Sequence, residues 1–464
     1  MEKGLENTEL HENKMGTEPV LLLLIKMALP AMLSMLVQSL YNVVDSIFVS
    51  RLGEEALRAV TMAFPIQQLM IALFVGTSIG INSLIARSLG MRKQERADSA
   101  AKHSVILGFL NGLFFAILGL VIARTYYGRF TDNASVLENG VTYLRIVTIA
   151  SFGLSLEINL EKTIQATGNM ITPMVTQMLG AVTNIILDPI LIFGLFGLPA
   201  YGVKGAALAT VIGQLVAMFY AFYALFIKPN ALNLKGKFVF DFSIVADIFR
   251  VGFPSIVMTS IASFMVMFMN SILKPFSEVA ITVLGNYFRL QSFIFMPIFG
   301  LTQGAMPIMG YNYGAGEKER LMSALKYGVI IAATIMLVGT SIFWFFPKEL
   351  LSIFKATPEM YEIGIPAFKT IALCFVFAGV SIMISVTFQA IGMGFNSLAL
   401  SVIRQLMLII PLFYYFSTIS LDLVWYAFPL AEIVCMILSI ALFRWIYKKR
   451  IANMVPIGNE KLNI

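Results

Sequence analysis

Asp45, Glu157, Glu161 and Asp188 each stand inside a long run of apolar residues. A carboxyl group in such a setting has few uses. It holds a proton, it holds a small cation, or it pairs with a buried base. Helical spacing gathers these acids with other polar groups. Gln38, Tyr41, Asn42 and Asp45 recur at i, i+3, i+4 and i+7 and form one stripe. Gln177, Asn184 and Asp188 share a second face, and Glu157, Glu161 and Gln165 a third. Thr210, on a later apolar run, is expected at the depth of Asp45 and Asp188. Four charged groups at helix centres would oppose membrane insertion by about 10 kcal/mol. A proton, a cation, a partner or a water-filled cleft must offset that cost. The plain account is pairing with a neighbour or snorkelling, with Asn159 near Glu157 and Lys162 beside Glu161. For Asp45 and Asp188 no Lys or Arg in the outer half of the same bundle is an obvious partner.

The elements that carry these side chains must be membrane helices. The chain has 464 residues, 58% of them hydrophobic and only 13% charged, with 38 Phe and 27 Met. Mean hydropathy is +0.83. Soluble domains carry about 25% charged residues, so this chain lacks the polar surface to dissolve in water. That excludes a cytosolic enzyme, a nucleic-acid-binding module and a disulfide-framed secreted domain. The net charge of +7 does not point to nucleic acid, because the basic residues fall in short clusters between apolar runs. Cys374 and Cys435 lie in apolar stretches, and His11 and His103 are the only histidines, so neither a disulfide framework nor a His-based metal site is expected. Residues 1–18 are polar and lack a basic signal-peptide start, so the first apolar run is expected to be retained.

Twelve runs are long enough to span a bilayer, which takes about 20 apolar residues. They are 26–50, 57–86, 103–125, 138–166, 170–195, 203–227, 247–273, 280–311, 325–346, 362–391, 395–418 and 423–447. The second, fourth, eighth and tenth are long enough to be tilted or kinked. Lys and Arg cluster after the even-numbered runs, as in Arg87, Arg92, Lys93 and Arg96, or Lys318 and Arg320. The positive-inside rule then puts both termini in the cytoplasm of a cell whose plasma membrane the chain spans.

The chain also repeats itself. A shift of 224 positions lays Pro30 on Pro254, Phe64 on Phe288, Gln67 on Gln291, Gly76 on Gly300, Gly80 on Gly304 and Gly90 on Gly314. At the same shift Glu95-Arg96 meets Glu319-Arg320, and Gln165-Ala166-Thr167-Gly168 meets Gln389-Ala390-Ile391-Gly392. Six spans per half make a parallel repeat, an architecture of secondary transporters. The expected fold is all-α and polytopic, with a tail over 1–25, a six-helix bundle over 26–227, a linker over 228–246, a second bundle over 247–447 and a tail over 448–464. The acids are not repeated: Asp45 falls on Met269. Asn270, Asn286, Arg289, Gln291, Gln303, Lys369, Gln389 and Arg404 are the polar groups embedded in the second half, and the two arginines read as packing groups or headgroup anchors.

Several runs carry a resemblance. Leu29-Pro30, Tyr41-Asn42-Val43-Val44-Asp45-Ser46-Ile47-Phe48-Val49, Gln165-Ala166-Thr167-Gly168-Asn169, Asn184-Ile185-Ile186-Leu187-Asp188-Pro189 and Gly202-Val203-Lys204-Gly205-Ala206-Ala207 are similar to motifs of the multidrug and toxic compound extrusion (MATE) family. The resemblance implies two six-helix bundles around a V-shaped cleft, and export of amphipathic, often cationic compounds in exchange for protons or sodium ions. It implies a coupling-ion site of Asp45, Asn184 and Asp188, the three that would also hold sodium, with Thr210 beside them. Glu161 matches an acidic position of several bacterial members. Gln38, Tyr41, Asn42, Glu161, Gln165 and Gln177 are expected to line the cleft. Members with a second-half sodium site carry embedded acids on the seventh and tenth helices, and none is found within those spans here, Asp247 and Glu362 standing at their very ends.

The expected function is therefore secondary active efflux of amphipathic organic cations, drugs or dyes, by antiport, with no cofactor beyond the coupling ion, lipid as surroundings and no obligatory protein partner. The rival is a flippase for lipid-linked oligosaccharides on the same fold, which needs basic groups for a phosphate; the deepest charges found here are acidic. No His/Asp/Ser set or phosphate-cradling loop suggests an intramembrane enzyme.

Overall fold

The computed structural model describes residues 13–457, and its regular elements are all helical. Twelve crossing segments occur among the described residues: α1 Val20–Ser50, α2 Glu54–Gly90, α3 Gln94–Phe130, α4, α5 Ile171–Phe193, α6 Val203–Phe226, α7 Phe242–Leu273, α8 Glu278–Gly314, α9 Lys318–Phe345, α10, α11 Gly394–Ser417 and α12 Leu421–Ile451. α4 is broken, with Ala134–Ile149 meeting Ser151–Ala166 at 42°, and α10 likewise, with Pro358–Ala372 meeting Phe375–Ala390 at 45°. The breaks fall at Ala150 and at Leu373 and Cys374. Ala150 and Cys374 are 224 positions apart, so the bend itself is repeated. His11 and parts of both expected tails lie outside the described residues.

Local chemistry sets the ends. α7 begins at Phe242, ahead of the run expected from 247, because the Asp241 carboxylate accepts a hydrogen bond from Ser243 N at 2.7 Å and caps the helix. α1 likewise starts earlier, at Val20 after Pro19, and its Lys26 reaches Glu18 at 3.0 Å. The repeated Gln-Ala-x-Gly runs end α4 and α10 because Gly168 and Gly392 take φ of +92° and +83°, a left-handed conformation that costs glycine nothing.

The halves meet crosswise: α2 packs on α7, and α8 on α1. The duplicated Gly-x-x-x-Gly pairs make this seam. A Cβ at Gly80 would strike the Ile248 carbonyl, and one at Gly304 would lie 2.8 Å from Ala28 N. Small residues thus bring the backbones into direct contact, which is how helices associate where lipid removes the hydrophobic drive. At the end carrying the basic loops the contact is tighter still. Gly90 abuts the Tyr311 carbonyl, Gly314 abuts that of Arg87, Arg96 pairs with Asp247, and Ser83 Oγ donates to Gln389 O at 2.6 Å. The segment before α1 joins this closure. Buried Met15 lies against Gly168, while Arg320 Nη2 donates to the Met15 and Glu18 carbonyls at 3.1 and 2.7 Å. Away from this closure the halves leave a space between them, which Phe64, 58% exposed, borders.

Candidate ion-coupling site and transport cleft

α1, α4, α5 and α6 converge in the first bundle on a small cavity of about 90 Å³, whose polar border is Gln38, Tyr41, Glu157, Gln177, Asn184 and Thr210. Beside it Asp45 and Asp188 come within hydrogen-bonding reach of each other. Asp188 is fully buried, and one Asp45 oxygen has no partner. The Asn184 amide lies between Asp188 and Thr210. In the orientation that satisfies both ends, Nδ2 donates to Asp188 Oδ2 at 3.1 Å and Oδ1 accepts from Thr210 N at 3.2 Å. Two carboxyls this close, in a bundle that lipid surrounds, cannot both be bare anions; a shared proton or a bound cation relieves the repulsion. The donor set is all oxygen, which suits a hard cation such as sodium as well as a proton.

A second group lies nearer the basic end. Gln177 Nε2 donates to Glu161 Oε2 at 2.9 Å, while Glu161 Oε1, Glu157 Oε2 and Gln177 Oε1 are buried without partners. Asn159 does not serve Glu157: its amide donates to Ser104 O at 2.9 Å. Gln165, expected on one stripe with Glu161, turns elsewhere. It accepts from Lys162 Nζ at 2.8 Å, and Lys162 also reaches Gln303 of α8 at 2.6 Å. Gln38, Tyr41 and Gln177 border the cavity, Glu161 and Gln165 stand apart from Asp45, and the Asn42 side chain lies outside the described residues.

The second bundle has no such site, for a packing reason. At the repeat shift, Asp45, Asn184 and Asp188 correspond to Met269, Leu408 and Leu412, which pack into an apolar core. Around them the Tyr287 ring lies 6.0–6.4 Å from those of Phe343, Phe368, Phe375 and Phe428.

Instead, the second bundle borders the large space. A cavity of about 880 Å³ lies between the halves, walled by α7, α8, α10, α11 and α12 and by Phe64, Gln68 and Ile79 of α2. Its floor is the closure at Ser83 and Gln389. Arg404 lines it, and behind Arg404 stands Glu432 of α12, 7% exposed, with Nη1 to Oε1 at 3.6 Å. Of the two readings of Arg404, packing group or headgroup anchor, the structure supports the first, and Glu432 is a buried acid of the second half that no motif marks. Glu432 was hidden because Arg404 pairs with it from 28 positions away, on another helix. The cleft lining foreseen from Gln38, Gln165 and Gln177 borders the small cavity or the inter-bundle contact, not this space.

The MatE family profile matches residues 30–190 and again 254–415, once in each half. The chain belongs to the MatE family. It is a multi-pass membrane transporter of the multidrug and toxic compound extrusion type and not an enzyme. Among its relatives, the "Probable multidrug resistance protein NorM" of Thermotoga maritima is 28% identical over 75% of each chain. The "FAD transporter" of Shewanella oneidensis is 24% identical over 85% of this MatE chain and 87% of its own. A crystal structure of MATE in complex with MaL6 superposes with a TM-score of 0.88 at 29% identity, covering 94% of this chain and 98% of the other.

Proposed function

We propose that this MatE protein expels amphipathic organic cations, drugs or dyes, by antiport, with the first bundle taking up the coupling ion at Asp45, Asn184, Asp188 and Thr210. The observation that carries the proposal is the Asp45–Asp188 carboxyl contact with an unpartnered oxygen and, among the described residues, no basic group beside it. Proton or sodium binding there removes a repulsion between α1 and α5. Since α1 also packs on α8 of the other half, that change acts on the seam. Coupling works only if the ion's affinity differs between the two cleft orientations, and the contact between α1 and α5 supplies such a difference. The basic end, where the halves touch, is then the cytoplasmic face, with the cleft open outward and both termini inside. Family membership leaves the cargo open, since one relative bears the name FAD transporter. The cationic cargo rests on the acids of the first bundle and the apolar walls of the cleft.

The test is dye movement in proteoliposomes under a pH gradient or a sodium gradient imposed separately, with Asp45→Asn alongside. Antiport predicts movement under one gradient and its loss in the variant. Transport that survives Asp45→Asn unchanged removes the coupling role. No dye movement under either gradient removes the efflux reading and favours the flippase.

A further inference from the structure

A groove of about 300 Å³ lies at the basic end of the second bundle. Met322, Leu325 and Val329 of α9, Ile384 of α10 and Phe443 of α12 wall it, and it shares no residue with the cavity between the halves. Ile330 and Ile437, 50% and 57% exposed, flank it on the outer surface of the bundle, where lipid lies. Its polar side chains are Arg444 and Tyr447, toward the basic loops. The walls are apolar and the mouth is basic.

The repeat shows how such a groove is covered. At the shift of 224, Met322, Leu325, Val329 and Ile384 correspond to Asp98, Ala101, Val105 and Leu160, and Arg444 and Tyr447 to Tyr220 and Tyr223. In the first half the linker meets these positions. Asn233 N donates to Asp98 Oδ1 at 2.9 Å, and buried Leu232 belongs to the packed cluster of Ala101, Val105 and Leu160. Lys228 Nζ stands 5.4 and 5.5 Å from the ring centres of Tyr220 and Tyr223. After α12 the chain turns elsewhere, with Lys318 Nζ donating to Ala452 O at 3.4 Å and Ile457 N to Ala315 O at 3.0 Å. No residue from 448 to 457 lines the groove.

Charge selects the occupant. Arg444 and Lys448 stand one turn apart on α12, Lys326 lies between Leu325 and Val329 on α9, and Glu319 is the one acid of α9. No acid occurs from 433 to 457. Three cations against one acid, beside an apolar slot at headgroup depth, match a phosphate carried on acyl chains. Tyr447 adds a hydroxyl and opens a wide turn, Tyr447–Ile451, where Ala452 N–H reaches back five residues to Tyr447 O at 2.8 Å. Such turns are rare and recur at functional sites. We infer that this groove holds an anionic phospholipid of the leaflet at the basic end, with an acyl chain between α9 and α12 and the phosphate on Arg444 and Lys448. The lipid covers the second bundle where Leu232 and Lys228 of the linker cover the first. The inference is independent of what the protein carries and of which ion drives it.

The test is native mass spectrometry of the full chain in detergent, titrated with phosphatidylglycerol or phosphatidylcholine of identical chains. The parent protein should hold its first phosphatidylglycerol about fivefold or more tighter than phosphatidylcholine, the gain expected of one headgroup cation. Arg444→Gln/Lys448→Gln should erase that preference, and Arg444→Lys should keep most of it. Val329→Phe, which fills the slot, should weaken the first-bound lipid of either kind, while Ile330→Phe on the exposed surface beside it should change neither. Melts in detergent confirm that each variant is folded, and Val329→Phe decides the matter should the double variant not fold. No preference in the parent, a preference that survives the double variant, or equal losses from Val329→Phe and Ile330→Phe overturn the inference. A preference that emerges only once residues 458–464 are removed gives the groove to the chain's own end and overturns it as well.

Discussion

Lys162 Nζ lies 2.6 Å from Gln303 Oε1, so the first bundle is hydrogen-bonded to the second by the residue next to Glu161. Glu161 faces the other way, into its own bundle, onto Gln177. Two consecutive side chains near the end of α4 therefore serve the polar interior and the inter-bundle closure respectively.

Breaking that contact should loosen the closed end. Lys162→Met and Gln303→Leu are each expected to shift the resting population toward opening at the basic end, read as increased labelling of a cysteine placed at Ser83. The double variant should do little more than either single one, since contacting residues couple by about 0.5–3 kcal/mol. Fully additive effects would show that the two residues act separately.

Asp45→Asn should abolish coupling yet not destabilise the fold. An amide beside Asp188 donates a hydrogen bond where two carboxyls repel, a gain of about 1 kcal/mol. Thermal melts in detergent should show a midpoint equal to or above that of the parent protein. A clear drop would mean that Asp45 is structural.

The seam makes a sharp contrast among glycines. Gly80→Ala and Gly304→Ala push a methyl into backbone and should cost about 1–3 kcal/mol. Gly285→Ala, in the same α8 but with open space around its Cβ position, should be neutral or stabilising by up to about 1 kcal/mol. Equal melting points for all three would contradict the close approach described.

Asp241 gives a pH dependence. Its hydrogen bond from Ser243 holds the carboxyl below its ordinary range. The folded value is the lower one, so its contribution is complete above about pH 4, the unfolded value, and is lost as pH falls through the folded value. Asp241→Asn keeps a capping oxygen and should flatten the stability profile below about pH 4, measured by melts at each pH. An unchanged profile would remove the cap from the account.

Much of this architecture was legible in the sequence, and particular residues say why. The twelve spans, the repeat and the even-numbered basic ends follow from apolar runs and a fixed shift. The stripes Gln38–Asp45 and Gln177–Asp188 placed their members near one cavity, because i, i+3, i+4 and i+7 are neighbours on any helix. What stayed hidden is what depends on pairs far apart in the chain. Glu432, which no motif marks in the sequence, pairs with Arg404 on another helix 28 positions away. Lys162, adjacent to Glu161 but on a different face as helical geometry requires, has a partner 141 positions on that no local spacing shows. Gln165 shares the Glu161 stripe by spacing, yet its amide oxygen accepts from Lys162 three positions before it.

The crosswise seam also has a consequence for biosynthesis. Ala28 and Met32 pack against Gly304 and Gly300, which the ribosome delivers about 270 residues later. At 5–20 residues per second that is a delay of roughly 15–55 s. Throughout it, α1 sits in the bilayer with its mating surface facing lipid or the insertion machinery. The first bundle can therefore gather its own helices early but cannot acquire its final seam until the second is well advanced, and a chain truncated before α8 leaves the Ala28–Met32 face of α1 open to the wrong helix. Quality control in the membrane has one place to look for an unfinished copy: the bare face of α1.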